Sequence, residues 1–206
     1  MTTRLIIARH GNTFEDGETP RRVGIGTDMP LTDKGWTQAR AIGRWLRDRD
    51  YKPDAIFCSH LIRTRATATI AMIESGSALH VQEDAIFNEV DYGPDENKTD
   101  AEVIARIGAQ AIKDWDEKAI VPKGWAIDPY DIIRNWMDFG TRILKDYNGC
   151  TILVVTSNGI ARFAPYLTGD FDTFRKNHEI KISTGALCIM EANADRWTVK
   201  DWNIKP

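Results

Sequence analysis

The sequence predicts an α/β fold: a three-layer α/β/α sandwich on a mostly parallel central sheet. Three observations carry that prediction. Strand-like and helix-like segments alternate along most of the chain. The run Cys150-Thr-Ile-Leu-Val-Val-Thr156 is apolar on both faces, as a central parallel strand is. The chain closes with two β runs, 185–191 and 197–202, separated by a turn-like segment at 192–195.

Each element has a local reason. Residues 4–8 are the first strand. Thr32, just ahead of Asp33, caps a helix carrying Trp36, Ala39, Ile42 or Gly43, and Leu46 at helical spacing. Tyr51-Lys52-Pro53 stops it. Residues 55–58 are the second strand, followed by a helix through Ala66, Ile70 and Ile73 that ends at Glu74-Ser75-Gly76. A short third strand is expected at 80–82, helical segments at 100–118 and 129–147, and the strong strand at 149–156. A helix over 158–167 and a strand at 180–183 precede the closing hairpin. In such sheets the ligand crevice lies beyond the carboxyl ends of the strands, so the chemistry is sought there.

Composition narrows the field. The 206 residues fit one domain, 1–206, able to bury roughly 70% of the surface of the unfolded chain. Lys plus Arg number 27 and Asp plus Glu 30, a net charge of −3, and no basic block recommends nucleic acid or an anionic membrane as a partner. The apolar runs are too short to span a bilayer, and the opening residues lack the apolar region of a secretory leader. A cytoplasmic location is expected. Three cysteines, Cys58, Cys150 and Cys188, form neither a disulfide framework nor a metal-ligand spacing, so no metal and no cofactor are expected. Oligomeric state is not encoded in any pattern we recognise.

Three strand ends stand out. The first strand runs into Arg9-His10-Gly11-Asn12-Thr13. Gly11 admits close backbone approach, Arg9 offers a fork of donors suited to phosphate, and His10 is a base or a nucleophile. After the second strand, Arg63 falls in the first turn of a helix facing the same crevice. The turn-rich Asn88-Glu89-Val90-Asp91-Tyr92-Gly93 carries Glu89, a proton donor if burial raises its pKa. Taken singly these are a loop histidine, a solvated arginine and a turn carboxylate. Converging, they call for an anion.

Together the motifs resemble the histidine phosphatase superfamily, the phosphoglycerate-mutase-like enzymes. Arg9-His10-Gly11-x-Thr13, then Asp28-x-Pro30-Leu31-Thr32-x-x-Gly35-x-x-Gln38-Ala39, then Ser59-x-Leu61-x-Arg63-x-x-x-Thr67-Ala68 carry the resemblance. It covers residues 4–93 and returns at 151–162. The stretch at about 94–149 corresponds to the family's variable helical cap. The resemblance implies a phosphoglycerate-mutase-like fold and a phosphomonoesterase that forms a phosphohistidine at His10. Glu89 would be the general acid. Arg9, Arg63, Asn12, Ser157 and Asn158 would bind phosphate. Phosphoryl transfer needs in-line positioning and stabilised charge, which guanidinium forks supply.

The resemblance breaks at the strong strand. Where the family reads Ser-His-Gly-Gly, this chain has Thr156-Ser157-Asn158-Gly159, with Arg162 in its expected place. The second histidine of the family thus corresponds to Ser157, a loss worth about 10–100-fold in rate. Asp16 stands where an asparagine is common. Thr13, Arg21, Arg22, His60 and Trp125 are candidate substrate contacts, with Trp125 on a lid and Trp115 and Trp136 in the core. His178 is a weaker candidate, and His80 reads as structural. Cys58 lies one residue too close to Arg63 for a cysteine phosphatase motif. The leading expectation is a hydrolase of a small phosphorylated metabolite; the alternative is a degenerate member that binds a phosphorylated ligand or protein without efficient turnover. A mutase is less expected, because it must hold its intermediate while the substrate reorients.

Overall fold

The computed structural model describes residues 2–194 and 196–206. Its strands are β1 (Thr2–Arg9), β2 (Ala55–Cys58), β3 (Val81–Glu83), β4 (Thr151–Thr156), β5 (Leu187–Asn193) and β6 (Arg196–Ile204). They form one sheet in the order β3-β2-β4-β1-β5-β6. Strands β1 to β4 are parallel, and β5 runs antiparallel to both neighbours.

Period-two alternation feeds two cores. Ile6, Ala8, Ile56, Leu153 and Val155 face one side, where they pack on α1 (Asp33–Asp48) and α2 (Ile62–Glu74) through Ile42, Trp45, Leu46, Ala68 and Ala71. Leu5, Ile7, Phe57, Ile152 and Val154 face the other. There the helices α3 (Asp100–Ile107), α4 (Ala109–Lys118) and α5 (Pro129–Asp146) bring Val103, Trp115, Trp136 and Phe139 into the same core. The short α6 (Asn158–Ala161) and α7 (Phe171–Asn177) complete this layer. Trp115 and Trp136 are buried, as expected from their spacing.

The Thr32 cap is present: its hydroxyl accepts from Gly35 N–H at 3.2 Å, an interaction worth about 1 kcal/mol. Several expectations need correction. Trp36 is exposed; α1 buries Gly35 and Trp45 instead. Ile73 is exposed. The expected helix at 100–118 is two helices broken at Gly108, whose φ of +83° no helix accommodates. The helix after β4 stops at Ala161, and Ala164–Thr168, with Pro165 in its first turn, is 3₁₀. Residues 180–183 are irregular, not a strand. Helix α7 was not expected; Asp170 caps it by accepting from Thr173 N–H at 3.0 Å, and Phe171 and Phe174 are its buried face. The third strand begins at Val81, leaving His80 outside it. Of the turn expected at 192–195, Ala192 and Asn193 instead extend β5, and Asp195 lies outside the described residues.

Register sets the functional edge. Arg9 pairs with Thr156 and Cys58 with Val155, so β1, β2 and β4 end side by side. His10, Ser59 and Ser157 therefore start their loops together. A Cβ on Gly11 would fall 2.4 Å from Gly35 O, so only glycine lets this loop lie on the start of α1. Among the described residues no helix is long and apolar enough to cross a membrane.

Candidate active site

A cavity of about 160 Å³ opens beyond these strand ends. Arg9, His10, Thr13, Arg21, Arg22, Arg63, Glu89 and Asn158 all line it, together with Tyr92, Asp100, Asp116, Arg162 and Lys181. Residues far apart in sequence thus share one concave, strongly cationic space.

His10 is held from two sides. Its backbone N–H donates to Thr156 O at 3.0 Å, tying the loop to β4. Its Nδ1 lies 2.7 Å from Gly11 O. In the neutral ring, Nδ1–H donates to that carbonyl and Nε2 keeps its lone pair. Burial, then the Arg63 and Arg9 charges, hold its pKa well below the ordinary histidine value. The ring is uncharged at neutral pH.

The guanidinium groups are anchored by carbonyls. Arg63 donates from Nη1 to Thr27 O at 2.9 Å and from Nη2 to Gly24 O at 3.1 Å. Arg9 Nη1 donates to Ile182 O at 2.6 Å. The Nε atoms of both are buried with no partner among the described residues. Arg162 donates from Nη1 to Trp115 O at 2.6 Å and from Nε to Asn158 O at 3.2 Å, its guanidinium 3.9 Å from the Trp115 ring centroid. Burial lowers its pKa to about 10, so it stays charged at neutral pH. Asn158 Oδ1 accepts from Ile182 N–H at 2.8 Å, which leaves its amino group as a donor at the cavity.

Glu89 is a buried carboxyl at the same wall. It accepts from Val90 N–H at 2.9 Å and from Gly159 N–H at 3.2 Å. Burial raises its pKa, against the pull of those N–H groups and Arg63. Thr156 Oγ1 donates to Phe87 O at 2.8 Å and fixes the segment before Glu89 to β4. An acid that keeps its proton unusually long sits beside a histidine that loses its own unusually early.

Not every candidate reaches the cavity. Asn12 is spent on the loop itself, donating to Phe14 O, to Thr32 Oγ1 and, from its backbone, to Gln38 Oε1. Ser157 is fully buried behind the lining, its Oγ without a partner among the described residues. His60 is exposed and outside the lining. Trp125 is no lid: it is buried against Tyr92 and Trp115, and its Nε1–H donates to Asp95 Oδ2 at 2.6 Å. Gly124, at φ +94°, makes the turn that points the ring inward. Asp16 pairs with Lys34 on the surface. His178 stacks on Phe174, and His80 is exposed. Burial pushes the Cys58 thiol up to about 12, which suits a packed residue rather than a nucleophile. Tyr92, Asp100, Asp116 and Lys181 went unnoticed in the sequence. Tyr92 lies in the turn-rich segment singled out only for Glu89, Asp100 reads as an ordinary first-turn helix acid, and Asp116 and Lys181 are ordinary surface charges by composition. Among the described residues no three His, Cys, Asp or Glu side chains gather as a metal ligand set.

Over residues 5–205 the sequence matches the histidine phosphatase superfamily (branch 1). The chain belongs to that superfamily. Among its relatives is a 2,3-bisphosphoglycerate-dependent phosphoglycerate mutase of Bifidobacterium longum (strain DJO10A), 32% identical over 132 residues, which are 64% of this chain and 52% of that protein. This chain thus spans about half the length of that relative. A protein of the same name from Methylorubrum populi is 32% identical over 199 residues, covering 95% of this chain and 92% of the relative. Proteins of known structure superpose over nearly the whole chain. A mycobacterial glucosyl-3-phosphoglycerate phosphatase does so with a TM-score of 0.80 at 20% identity, covering 99% of this chain and 100% of its own. The α-ribazole phosphatase of Shigella flexneri does so with a TM-score of 0.73 at 22% identity, covering 98% and 96%. At those identities the likeness is one of fold.

Proposed function

We propose that this histidine phosphatase superfamily member hydrolyses phosphate monoesters of small metabolites through a phosphohistidine at His10. The observation that carries the reading is His10 itself: Nδ1 engaged by Gly11 O at 2.7 Å, in a cavity shared with the buried guanidiniums of Arg63 and Arg162 and the half-buried one of Arg9. The phosphoryl oxygens take cavity-facing N–H groups of the Arg9 and Arg63 guanidiniums and the Asn158 amino group. His10 Nε2 attacks phosphorus in line while Glu89 gives its proton to the departing alkoxide. Water then attacks the phosphohistidine, Glu89 takes a proton from it, and His10 leaves as the neutral ring. The guanidiniums hold the charge on the equatorial oxygens throughout.

The test is turnover of p-nitrophenyl phosphate and of an alkyl phosphate by wild type and Glu89→Gln. Glu89→Gln should lower kcat/KM by about 100-fold on the alkyl ester and far less on p-nitrophenyl phosphate, whose leaving group needs little protonation. The pH profile carries a second sign. Activity requires neutral His10, so it rises with pH through the lowered histidine pKa. It also requires protonated Glu89, so it falls through the raised carboxyl pKa. Glu89→Gln should erase the falling limb and keep the rising one. Equal losses on both esters, with both limbs intact, would remove Glu89 from the mechanism.

One observation favours a second reading, a binder without efficient turnover. The Ser157 hydroxyl is buried behind the cavity wall, at the position where the resemblance implies a histidine in the family. Ser157→His should raise kcat/KM on p-nitrophenyl phosphate by about tenfold, the value of one restored charge-assisted hydrogen bond. Tight phosphate binding without turnover in wild type would instead support the binder.

A further inference from the structure

The carbonyl that engages His10 belongs to the peptide joining Gly11 to Asn12, and the other edge of that peptide is held as well. Gly11 O lies 2.7 Å from His10 Nδ1, and Asn12 N–H donates to Gln38 Oε1 at 2.8 Å. The peptide is trans, so its C=O and N–H point to opposite edges of one plane, and fixing the N–H fixes the carbonyl. Gln38 is fixed in turn. Its Nε2 donates to Thr184 O at 3.0 Å, and Gly185, at φ +71°, packs so closely that an added Cβ would stand 2.6 Å from Gln38 Cβ. The Gly185 N–H, on the same peptide as Thr184 O, donates to His10 O at 3.1 Å. Three amides therefore run head to tail, from the imidazole through Gly11–Asn12, the Gln38 side chain and Thr184–Gly185, back to the His10 carbonyl. Each polarises the next. Gln38 itself is half-buried on α1 and lies outside the cavity lining.

Resting on the phosphohistidine reading, we propose that Gln38 is a positioning residue for the nucleophile: it holds the Gly11 carbonyl on Nδ1, so that His10 keeps the tautomer whose Nε2 lone pair attacks phosphorus. In the other neutral tautomer Nε2 carries the proton and has no lone pair to give. Once Nε2 holds the phosphoryl group the ring is positive, its proton still on Nδ1, and the polarised carbonyl meets that charge. The Gly11 carbonyl already raises the His10 pKa, against the larger lowering by burial and by Arg63 and Arg9.

Nitrogen NMR of isotopically labelled histidine reads the tautomer in the resting protein, and His10→Ala identifies the His10 signals. Wild type should carry the proton on Nδ1. Gln38→Met keeps the side-chain length and removes the amide, so Nε2–H should become prominent at His10. Its kcat on p-nitrophenyl phosphate should fall by about tenfold, the worth of one hydrogen bond, while the Kd of inorganic phosphate changes by less than about threefold. Gln38→Glu keeps an acceptor for Asn12 N–H and accepts from the Thr184 hydroxyl, which lies 3.3 Å from Gln38 Nε2. It should keep the Nδ1–H tautomer and a kcat within about threefold of wild type. Gln38→Ala, the better helix former, stands in for a Gln38→Met that does not fold, with the same expectations. A His10 that keeps its tautomer in Gln38→Met overturns the proposal whatever the rates. So does a wild type with the proton on Nε2, a lost tautomer with undiminished kcat, a phosphate affinity that falls as far as kcat, or a Gln38→Glu no better than Gln38→Met. If wild type hydrolyses no ester, the phosphatase reading fails, and the NMR spectra of the resting proteins alone decide whether Gln38 sets the tautomer.

Discussion

His10→Ala is expected to lower p-nitrophenyl phosphate turnover by at least ~10³-fold, the scale on which losing a covalent nucleophile acts, while inorganic phosphate still binds. The loss should be this complete because nothing nearby can substitute. Ser59 and Thr64 are locked to each other at 2.6 Å, Cys58 is buried with a raised pKa, and the Tyr92 phenol is also pushed up by burial. Thr13 lines the cavity but has no base positioned to activate it in any contact the structure records. Binding should survive because Arg9, Arg63 and Arg162 are anchored by Ile182, Thr27, Gly24 and Trp115 carbonyls, none of which depends on the imidazole. Phosphate affinity measured by calorimetry beside the rate separates the two. A variant keeping one-tenth or more of the rate, on the order of a single lost hydrogen bond, means another group carries the phosphoryl transfer.

The second large effect comes from Gly159→Ala. Gly159 has ordinary helical backbone, so conformation does not demand glycine there; space does. An added Cβ would stand 2.2 Å from Glu89 Oε1 and 2.8 Å from Val90 Cγ2. The carboxyl must swing away and give up the Gly159 N–H, its partner at 3.2 Å. We expect kcat/KM on an alkyl phosphate to fall by about 100-fold and stability by about 1–3 kcal/mol, the range for overpacking a filled interior. If the methyl acts through Glu89, the double variant Gly159→Ala/Glu89→Gln should be no slower than the slower single variant. Multiplying losses would show that Gly159 contributes by a separate route.

What the sequence revealed was whatever rests on local rules. Thr32 could be named as a cap because the hydroxyl-to-N–H bond is made within a few residues. Residues 55–58 were bounded correctly because four apolar residues between Pro53-Asp54 and a polar turn have few alternatives. The convergence of Arg9, His10, Arg63 and Glu89 followed from the parallel sheet and the family motifs. What stayed hidden depends on distant partners. Trp125 sits in a loop without periodicity, and only its bond to Asp95 and its edge contacts with Tyr92 and Trp115 reveal that it is core. Asp116 and Lys181 lie 65 positions apart and meet only after α4 folds over the cavity. Pro165 was a visible warning that the helix after β4 would not continue, and Asp170 ahead of Phe171 and Phe174 was a visible signal for α7. Gly108 gave the same kind of notice of the break between α3 and α4.

The proposed phosphoryl transfer requires a covalent bond between phosphorus and one ring nitrogen of His10. Rapid quenching of wild type during turnover of p-nitrophenyl phosphate, followed by intact-mass and peptide mass spectrometry, looks for it directly. The expected result is protein heavier by one PO₃ group, on the peptide containing His10, labile in acid and stable in base, and absent from His10→Ala. Steady hydrolysis with no such adduct in alkaline quench, or an adduct on any other residue, would contradict it.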